Sequence, residues 1–109
     1  MGVNESPIGN LVASGRAGSF DPTIALAFGR AVRAARVSLL IAQDQLALRA
    51  GVDRSFLGKL ERGQRQPSLA ILLRLARALN LSGADLVSRV ERELLDGLGE
   101  VPATTVEPD

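Results

Sequence analysis

Three donor side chains follow a sharp break in the middle of the chain: Arg54, Ser55 and Lys59. They belong to the segment 43–63, which reads QDQLALRAGVDRSFLGKLERG. A guanidinium can contact guanine O6 and N7 in a bidentate manner. A hydroxyl can contact a base edge or a phosphate, and an ammonium group binds phosphate as a point charge. These residue types at this spacing therefore predict recognition of a polyanion from one end of a short helix.

Two short helices are predicted to position these donors. The first starts near Gln43 and ends at Gly51, which we expect to adopt the left-handed conformation that follows many helices. Val52 points to the core and Asp53 caps the second helix, so that Arg54 and Ser55 occupy its exposed first turn. A turn of about three residues between two such helices is the spacing of a helix-turn-helix.

Three further helices complete an all-α fold. Helix one is predicted from Pro22, with Asp21 as its N-cap, to about Arg36 or Val37. Helix four follows a cap at Ser68, and helix five, with a capping box at Ser82 and Asp85, is predicted to end at Asp96 because Gly97 and Gly99 follow. The domain organisation expected is a flexible N-terminal arm over residues 1–20, a helical domain over residues 21–96 and a disordered acidic tail over residues 97–109.

The composition excludes several classes of function. The 109 residues contain no His and no Cys, so thiolate or imidazole metal sites and the commonest general base are absent. We expect no enzyme activity, no cofactor and no metal, and we interpret the acidic cluster Glu91, Glu93 and Asp96 as a solvated helix face. No apolar run reaches the roughly 18 residues that span a bilayer. We expect a cytoplasmic protein without a secretory signal or membrane contact.

The net charge of +1 conceals a segregated distribution. Residues 22–82 carry ten basic and three acidic side chains, whereas residues 83–109 carry two basic and seven acidic ones. Twelve of the thirteen basic residues are Arg, which suits bidentate contacts to phosphate and guanine. A basic body with an acidic end favours a polyanion-binding surface, although an Arg-rich solvated surface explains the charge alone equally well.

The order of four short motifs resembles the phage-repressor (Cro/cI, or Xre) type of helix-turn-helix. They are Gln-x-x-Leu-Ala at 43–47, Ala-Gly-Val at 50–52, Leu-Glu-Arg-Gly at 60–63 and Pro-Ser-Leu at 67–69. Together with FGRAVRAAR and LLRLARALNLSGADL, the resemblance covers about residues 26–90. It implies a five-helix lambda-repressor-like DNA-binding domain that regulates transcription.

The resemblance also implies roles for individual positions. It places Gln43 at a phosphate contact, and it places Arg54, Ser55 and Lys59 at base-reading or groove-facing positions. It further implies a structural ion pair between Arg36 and Glu61.

Three features beside these positions leave questions open. Arg65 and Gln66 follow the helix that carries Arg54. They could contact the DNA backbone on the side opposite Gln43. Gly58 indicates either a close approach by DNA or another helix, or simple tolerance of glycine in a short helix. The sequence departs from the family pattern at two positions. Ala42 cannot cap the helix that starts near Gln43, and Leu40 replaces a turn glycine.

Two functional hypotheses remain. The first is a sequence-specific DNA-binding transcriptional regulator, with a repressor as one form, which binds a palindromic operator as a homodimer. The interface between the two copies would use an apolar series on the last helix. The alternative is that this series folds back onto helix one. The residues of the series are Val87, Leu94, Leu95 and Leu98. The second hypothesis is an antitoxin-like or coactivator-like adaptor that binds a protein partner through the arm or the tail.

Overall fold

The computed structural model describes the backbone of residues 19–106 and the side chains of residues 19–97. Within this range the chain forms five helices and no strands. In chain order they are α1 (Pro22–Ser38), α2 (Gln43–Ala50), α3 (Arg54–Glu61), α4 (Leu69–Ala78) and α5 (Gly83–Val106). The predicted all-α, five-helix architecture is confirmed. None of the helices in this part of the chain is both long enough and apolar enough to cross a membrane.

Local capping interactions set the start of most helices. The Asp21 carboxylate accepts hydrogen bonds from the backbone N–H groups of Thr23 and Ile24 at the start of α1. Ser68 accepts from the N–H of Ile71 at the start of α4 in the same way. Each cap satisfies N–H groups that have no partner inside the helix. These starts match the predictions, because the interactions involve residues only two or three positions apart.

The α2–α3 unit has the geometry of a helix-turn-helix. Gly51 adopts φ 70° after α2, which is the left-handed conformation that was predicted. The N–H of Val52 then donates to the carbonyl of Ala47 at 3.0 Å, which closes the end of α2. Asp53 caps α3 by accepting from the N–H of Phe56 at 3.1 Å. The short turn therefore fixes the direction in which α3 leaves α2.

The core is aliphatic, with a single buried aromatic ring. Helix α1 packs against α3 and α5, α2 packs against α3 and α4, and α4 packs against α5. The largest fully buried side chains come from all five helices: Phe28, Val32, Leu46, Leu57, Leu60, Leu75 and Leu86. Full burial of such a side chain contributes about 1.5–3 kcal/mol. This common core holds α2 and α3 against the rest of the domain.

One close helix crossing depends on glycine. A Cβ added to Gly29 of α1 would lie 2.4 Å from the carbonyl oxygen of Leu60 and 2.6 Å from that of Glu61. Because these are backbone atoms at the end of α3, any side chain at position 29 would push α1 and α3 apart. Gly29 therefore sets how closely α1 supports α3.

One helix boundary differs from the predictions. Helix α5 continues to Val106, so its predicted end at Asp96 is wrong, and the backbone of the segment assigned to a disordered tail is helical up to that residue. Gly97 keeps a negative φ, and a glycine inside a helix costs only about 1 kcal/mol relative to alanine. Residues 1–18, most of the predicted arm, lie outside the described part of the chain. The α1–α2 turn uses Leu40 at φ 59°, in the position where the family pattern has glycine.

Candidate nucleic-acid interface

The first turn of α3 is open to solvent. The side chains of Arg54 and Ser55 are exposed, and Lys59 is half-buried one turn further along. Phe56 and Leu57 turn toward the core instead and anchor the helix. The three donors predicted from the sequence therefore lie on α3 with their polar groups available to an external ligand.

Arg54 also has a partner within the chain. Its Nε lies 2.5 Å from Oδ1 of Asp44, which belongs to the first turn of α2. The two side chains remain 65% and 72% exposed, so solvent screens this ion pair. An exposed pair of this kind contributes about 0–1 kcal/mol to stability. The sequence reasoning did not single out Asp44, although an acidic residue ten positions before a reading arginine was visible.

A buried network lies behind the start of α2. The guanidinium of Arg36 donates from Nε to Glu61 Oε2 at 2.7 Å and from Nη2 to Glu61 Oε1 at 3.0 Å. Its Nη1 donates to the carbonyl of Ile41 at 2.9 Å, which ties the α1–α2 turn to the pair. The hydrogen bond to Glu61 raises the pKa of Arg36, against the opposing effect of burial. The ion pair predicted between Arg36 and Glu61 is present and spans α1 and α3.

Gln43 joins this network. Its Nε2 donates to Glu61 Oε1 at 2.9 Å, and its side chain is half-buried. A phosphate contact through this side chain would have to use the Nε2 N–H that does not bond to Glu61. The phosphate contact of Gln43 therefore stays a prediction that depends on one donor. Ala42 provides no side-chain cap for α2, as expected. The side chain of Gln45 accepts from the N–H of Ala42 at 2.9 Å and supplies one half of a capping box.

Arg62 is a candidate contact that the sequence reasoning missed. Its Nη1 lies 3.2 Å from the position that a Cβ on Gly58 would occupy, and Gln43 Oε1 lies 3.9 Å from that position. The space above Gly58 thus holds the guanidinium of Arg62, with the side chain of Gln43 from α2 next to it. The side chain of Arg62 is exposed, and its Nη2 donates to Gln64 at 3.3 Å. The unexplained glycine one turn before an arginine was the available signal.

The side chain of Gln66 holds the segment before α1. Its Oε1 accepts from the N–H of Asp21 at 2.8 Å, and its Nε2 donates to the carbonyl of Ser19 at 2.7 Å. Both ends of the amide thus help to hold the chain before α1, although one N–H of Nε2 is not used in these two bonds. A phosphate contact through Gln66 would have to use its second Nε2 N–H, so its role as a backbone contact stays a prediction. Arg65 is exposed beside it and stays a candidate.

The residues of the predicted dimer interface on α5 lie in two different environments. Leu94 is half-buried against the core and lines a cleft with Leu26 and Ala27 of α1, which is the alternative that the sequence left open. Val87 and Leu95 are exposed, while the side chain of Leu98 lies outside the described residues. Leu94 is thus already partnered within the chain.

A second apolar surface lies where α4 meets α5. Leu69 and Leu73 of α4 are exposed, one turn apart. Leu73 Cδ2 lies 2.5 Å from the position that a Cβ on Gly83 would occupy, and Val87 follows Gly83 by one turn on α5. We call Leu69, Leu73 and Val87 the α4–α5 apolar patch. Contiguous exposed apolar residues of this kind often mark a contact surface.

Five helices around an aliphatic core, with a tight α2–Gly51–α3 turn and an exposed, donor-bearing start of α3, define a helix-turn-helix protein. A family model described as "Helix-turn-helix" matches residues 32–86. The chain belongs to this family, which confirms the resemblance found in the sequence.

Similar proteins agree with this assignment. The HTH-type transcriptional regulator Rv0474 of Mycobacterium tuberculosis is 38% identical over 61 residues, which are 56% of this chain and 44% of that protein. The chain thus matches less than half the length of this relative. A crystal structure of the restriction-modification controller protein C.AhdI from Aeromonas hydrophila is 40% identical, with a TM-score of 0.55 over 57% of this chain and 94% of that one. The clp gene regulator ClgR from Corynebacterium glutamicum is 28% identical, with a TM-score of 0.68 over 77% of this chain and 90% of that one.

Proposed function

We propose that this protein is a sequence-specific DNA-binding transcriptional regulator that inserts α3 into the major groove. The observation that carries the proposal is the exposed first turn of α3, where Arg54 and Ser55 project from a helix anchored by its opposite face. Base pairs present distinct donor and acceptor patterns in that groove, and a short helix can reach them. The similar proteins described as transcriptional regulators and controller proteins support the same function.

The surroundings of α3 supply positive charge for the DNA backbone. Lys59, Arg62 and Arg65 follow the reading residues along α3 and the loop after it. The free N–H groups at the start of α2 add a favourable site for a phosphate next to Gln43. In this proposal Arg54 and Ser55 read bases, while the other residues position the domain on the backbone.

The protein would bind a palindromic operator as a homodimer. One helix-turn-helix makes few base contacts, and two copies related by a twofold axis reach half-sites about 34 Å apart. The α4–α5 apolar patch is the surface that we assign to the dimer, because its side chains are exposed and do not belong to the core cluster. A twofold interface buries the same patch on both copies.

Selection of bound sequences from a random pool of DNA duplexes tests this function. We expect enrichment of one palindromic sequence, with affinity that falls steeply as salt rises because phosphate contacts release counterions. Enrichment of no sequence, together with binding that does not depend on salt, would refute the proposal and favour a protein-binding adaptor. A single asymmetric site would retain the reading helix but refute the twofold arrangement.

A further inference from the structure

We propose that Asp44 is a positioning residue: it holds the guanidinium of Arg54 ready for guanine and thereby sets the sequence discrimination of the domain. The inference rests on the proposed DNA-binding function and deepens it. It concerns a residue of α2 that has no assigned contact with a base or a phosphate. Its basis is the ion pair that joins the first turn of α2 to the first turn of α3.

The pair is placed where it can control only the reading residue. Asp44 Oδ1 lies 2.5 Å from Arg54 Nε, and both side chains are mostly exposed. In the part of the chain that the structure describes, this is the one ion pair besides that of Arg36 and Glu61. Asp44 therefore does not belong to the buried network that holds the helices together.

The contacting atom decides which edge of the guanidinium stays available. An arginine presents five N–H donors in a planar fork, and bidentate recognition uses two parallel N–H groups. Because the carboxylate approaches at Nε, the terminal pair Nη1 and Nη2 is left for guanine O6 and N7. A guanidinium that is already oriented loses less conformational freedom when it binds.

The carboxylate also acts against binding at the wrong sites. Asp44 places a negative charge beside a helix that would approach phosphates, which weakens binding to DNA of any sequence. At a site with guanine in the right position, Arg54 contacts the base through Nη1 and Nη2 and stays paired with Asp44. At other sites, where Arg54 turns toward a phosphate, the carboxylate loses this partner and the repulsion is stronger. Such an unfavourable element raises specificity by lowering the affinity for competitors.

The substitution Asp44→Asn, with Glu91→Gln as its control, tests this role in the full-length protein. Both remove one negative charge, but Glu91 is exposed on α5, away from the pair. The measured quantity is the ratio of affinities for the selected duplex and a random-sequence duplex at fixed salt. We expect Asp44→Asn to bind random DNA more tightly and to lower the ratio by up to about fivefold, the limit for an exposed ion pair. Glu91→Gln should leave the ratio unchanged; an unchanged ratio in Asp44→Asn would overturn the inference.

A double-mutant cycle separates positioning from a charge effect. If Asp44 acts through Arg54, then Asp44→Asn lowers the ratio in the wild-type protein but not in the Arg54→Ala background. Equal reductions in both backgrounds would show that Asp44 acts by itself and would overturn the positioning role. A wild-type protein that enriches no sequence overturns the proposed function and this inference together, whereas an enriched sequence with an unaltered Asp44→Asn ratio overturns only the inference.

Discussion

The amide of Gln43 donates a hydrogen bond to the same Glu61 carboxylate that receives the guanidinium of Arg36. One buried acidic residue at the end of α3 thus connects α1, the α2 start and the helix that carries the reading residues. The side chain of Glu61 is only 3% exposed. This arrangement joins the stability of the domain to the geometry of its candidate interface.

Glu61→Ala should destabilise the fold by about 3 kcal/mol, because it leaves the guanidinium of Arg36 largely buried without its partner. Urea unfolding followed by circular dichroism measures this change. Glu91→Ala, on the exposed face of α5, should change stability by less than about 0.5 kcal/mol and serves as the control. Equal stability of the two variants would show that the Arg36–Glu61 pair does not support the fold.

The stabilisation by this pair should not depend on pH near neutrality. The hydrogen bond to Glu61 raises the pKa of Arg36, so the contribution of the Arg36 charge to stability is present in full below the ordinary pKa of arginine. It is lost only as pH rises through the raised pKa, and we expect the destabilisation by Glu61→Ala to be constant across neutral pH.

Two glycines of the supporting helices should respond in opposite ways to alanine. Gly29→Ala places a Cβ against the backbone of α3 and should cost about 1–3 kcal/mol through overpacking. Gly58→Ala meets the flexible end of the Arg62 side chain at 3.2 Å and Gln43 Oε1 at 3.9 Å. Because the Arg62 side chain can shift, the variant should gain up to about 1 kcal/mol from its higher helix propensity. Thermal unfolding of both variants measures the difference. A stable Gly29→Ala protein would mean that α1 and α3 can separate without loss.

Arg54→Ala and Arg62→Ala should impair DNA binding in different ways. Loss of a base-reading arginine should cost about 1–3 kcal/mol at the selected sequence and relax the preference at one position. Loss of a phosphate contact should weaken binding to all sequences alike and reduce the salt slope by about one. Titrations of selected and random duplexes at several salt concentrations distinguish the two patterns.

Both arginine side chains are exposed, so neither substitution should lower the melting temperature appreciably. A uniform loss in Arg54→Ala would assign that residue to the backbone instead of the bases. A lowered melting temperature would assign it to the fold.

The α4–α5 apolar patch should respond to a charge. Leu69→Glu places a carboxylate within the apolar surface of both copies, where burial of the unpaired charge is unfavourable, and should convert the dimer to a monomer. Leu48→Glu introduces the same charge on α2, where Leu48 is 83% exposed, and should leave the assembly unchanged. Sedimentation velocity reports the outcome. A Leu69→Glu protein that sediments like the wild type would place the interface elsewhere.

Truncation after Val90, which the apolar series on α5 first suggests, is a poorer test of the dimer. It removes Leu94, which packs against the core next to α1, so the fold would weaken together with the assembly. Single substitutions at exposed positions avoid this ambiguity.

The sequence by itself determined the local features of this protein. The caps at Asp21, Asp53 and Ser68 and the left-handed turn at Gly51 were predicted correctly, because each depends on groups within a few residues of one another. The order of short motifs also identified the helix-turn-helix and the exposed position of Arg54. The end of α5 was predicted wrongly, because a glycine weakens a helix without having to stop it.

Only the tertiary structure decided which polar side chains remained free. Gln43 and Glu61 are 18 positions apart, and Gln66 bonds to Ser19 across 47 positions. Hydrogen bonds over such separations depend on how the helices pack, which no local pattern encodes. The same packing left Leu94 half-buried against the core and Leu69 exposed, and it brought Asp44 of α2 to Arg54 of α3.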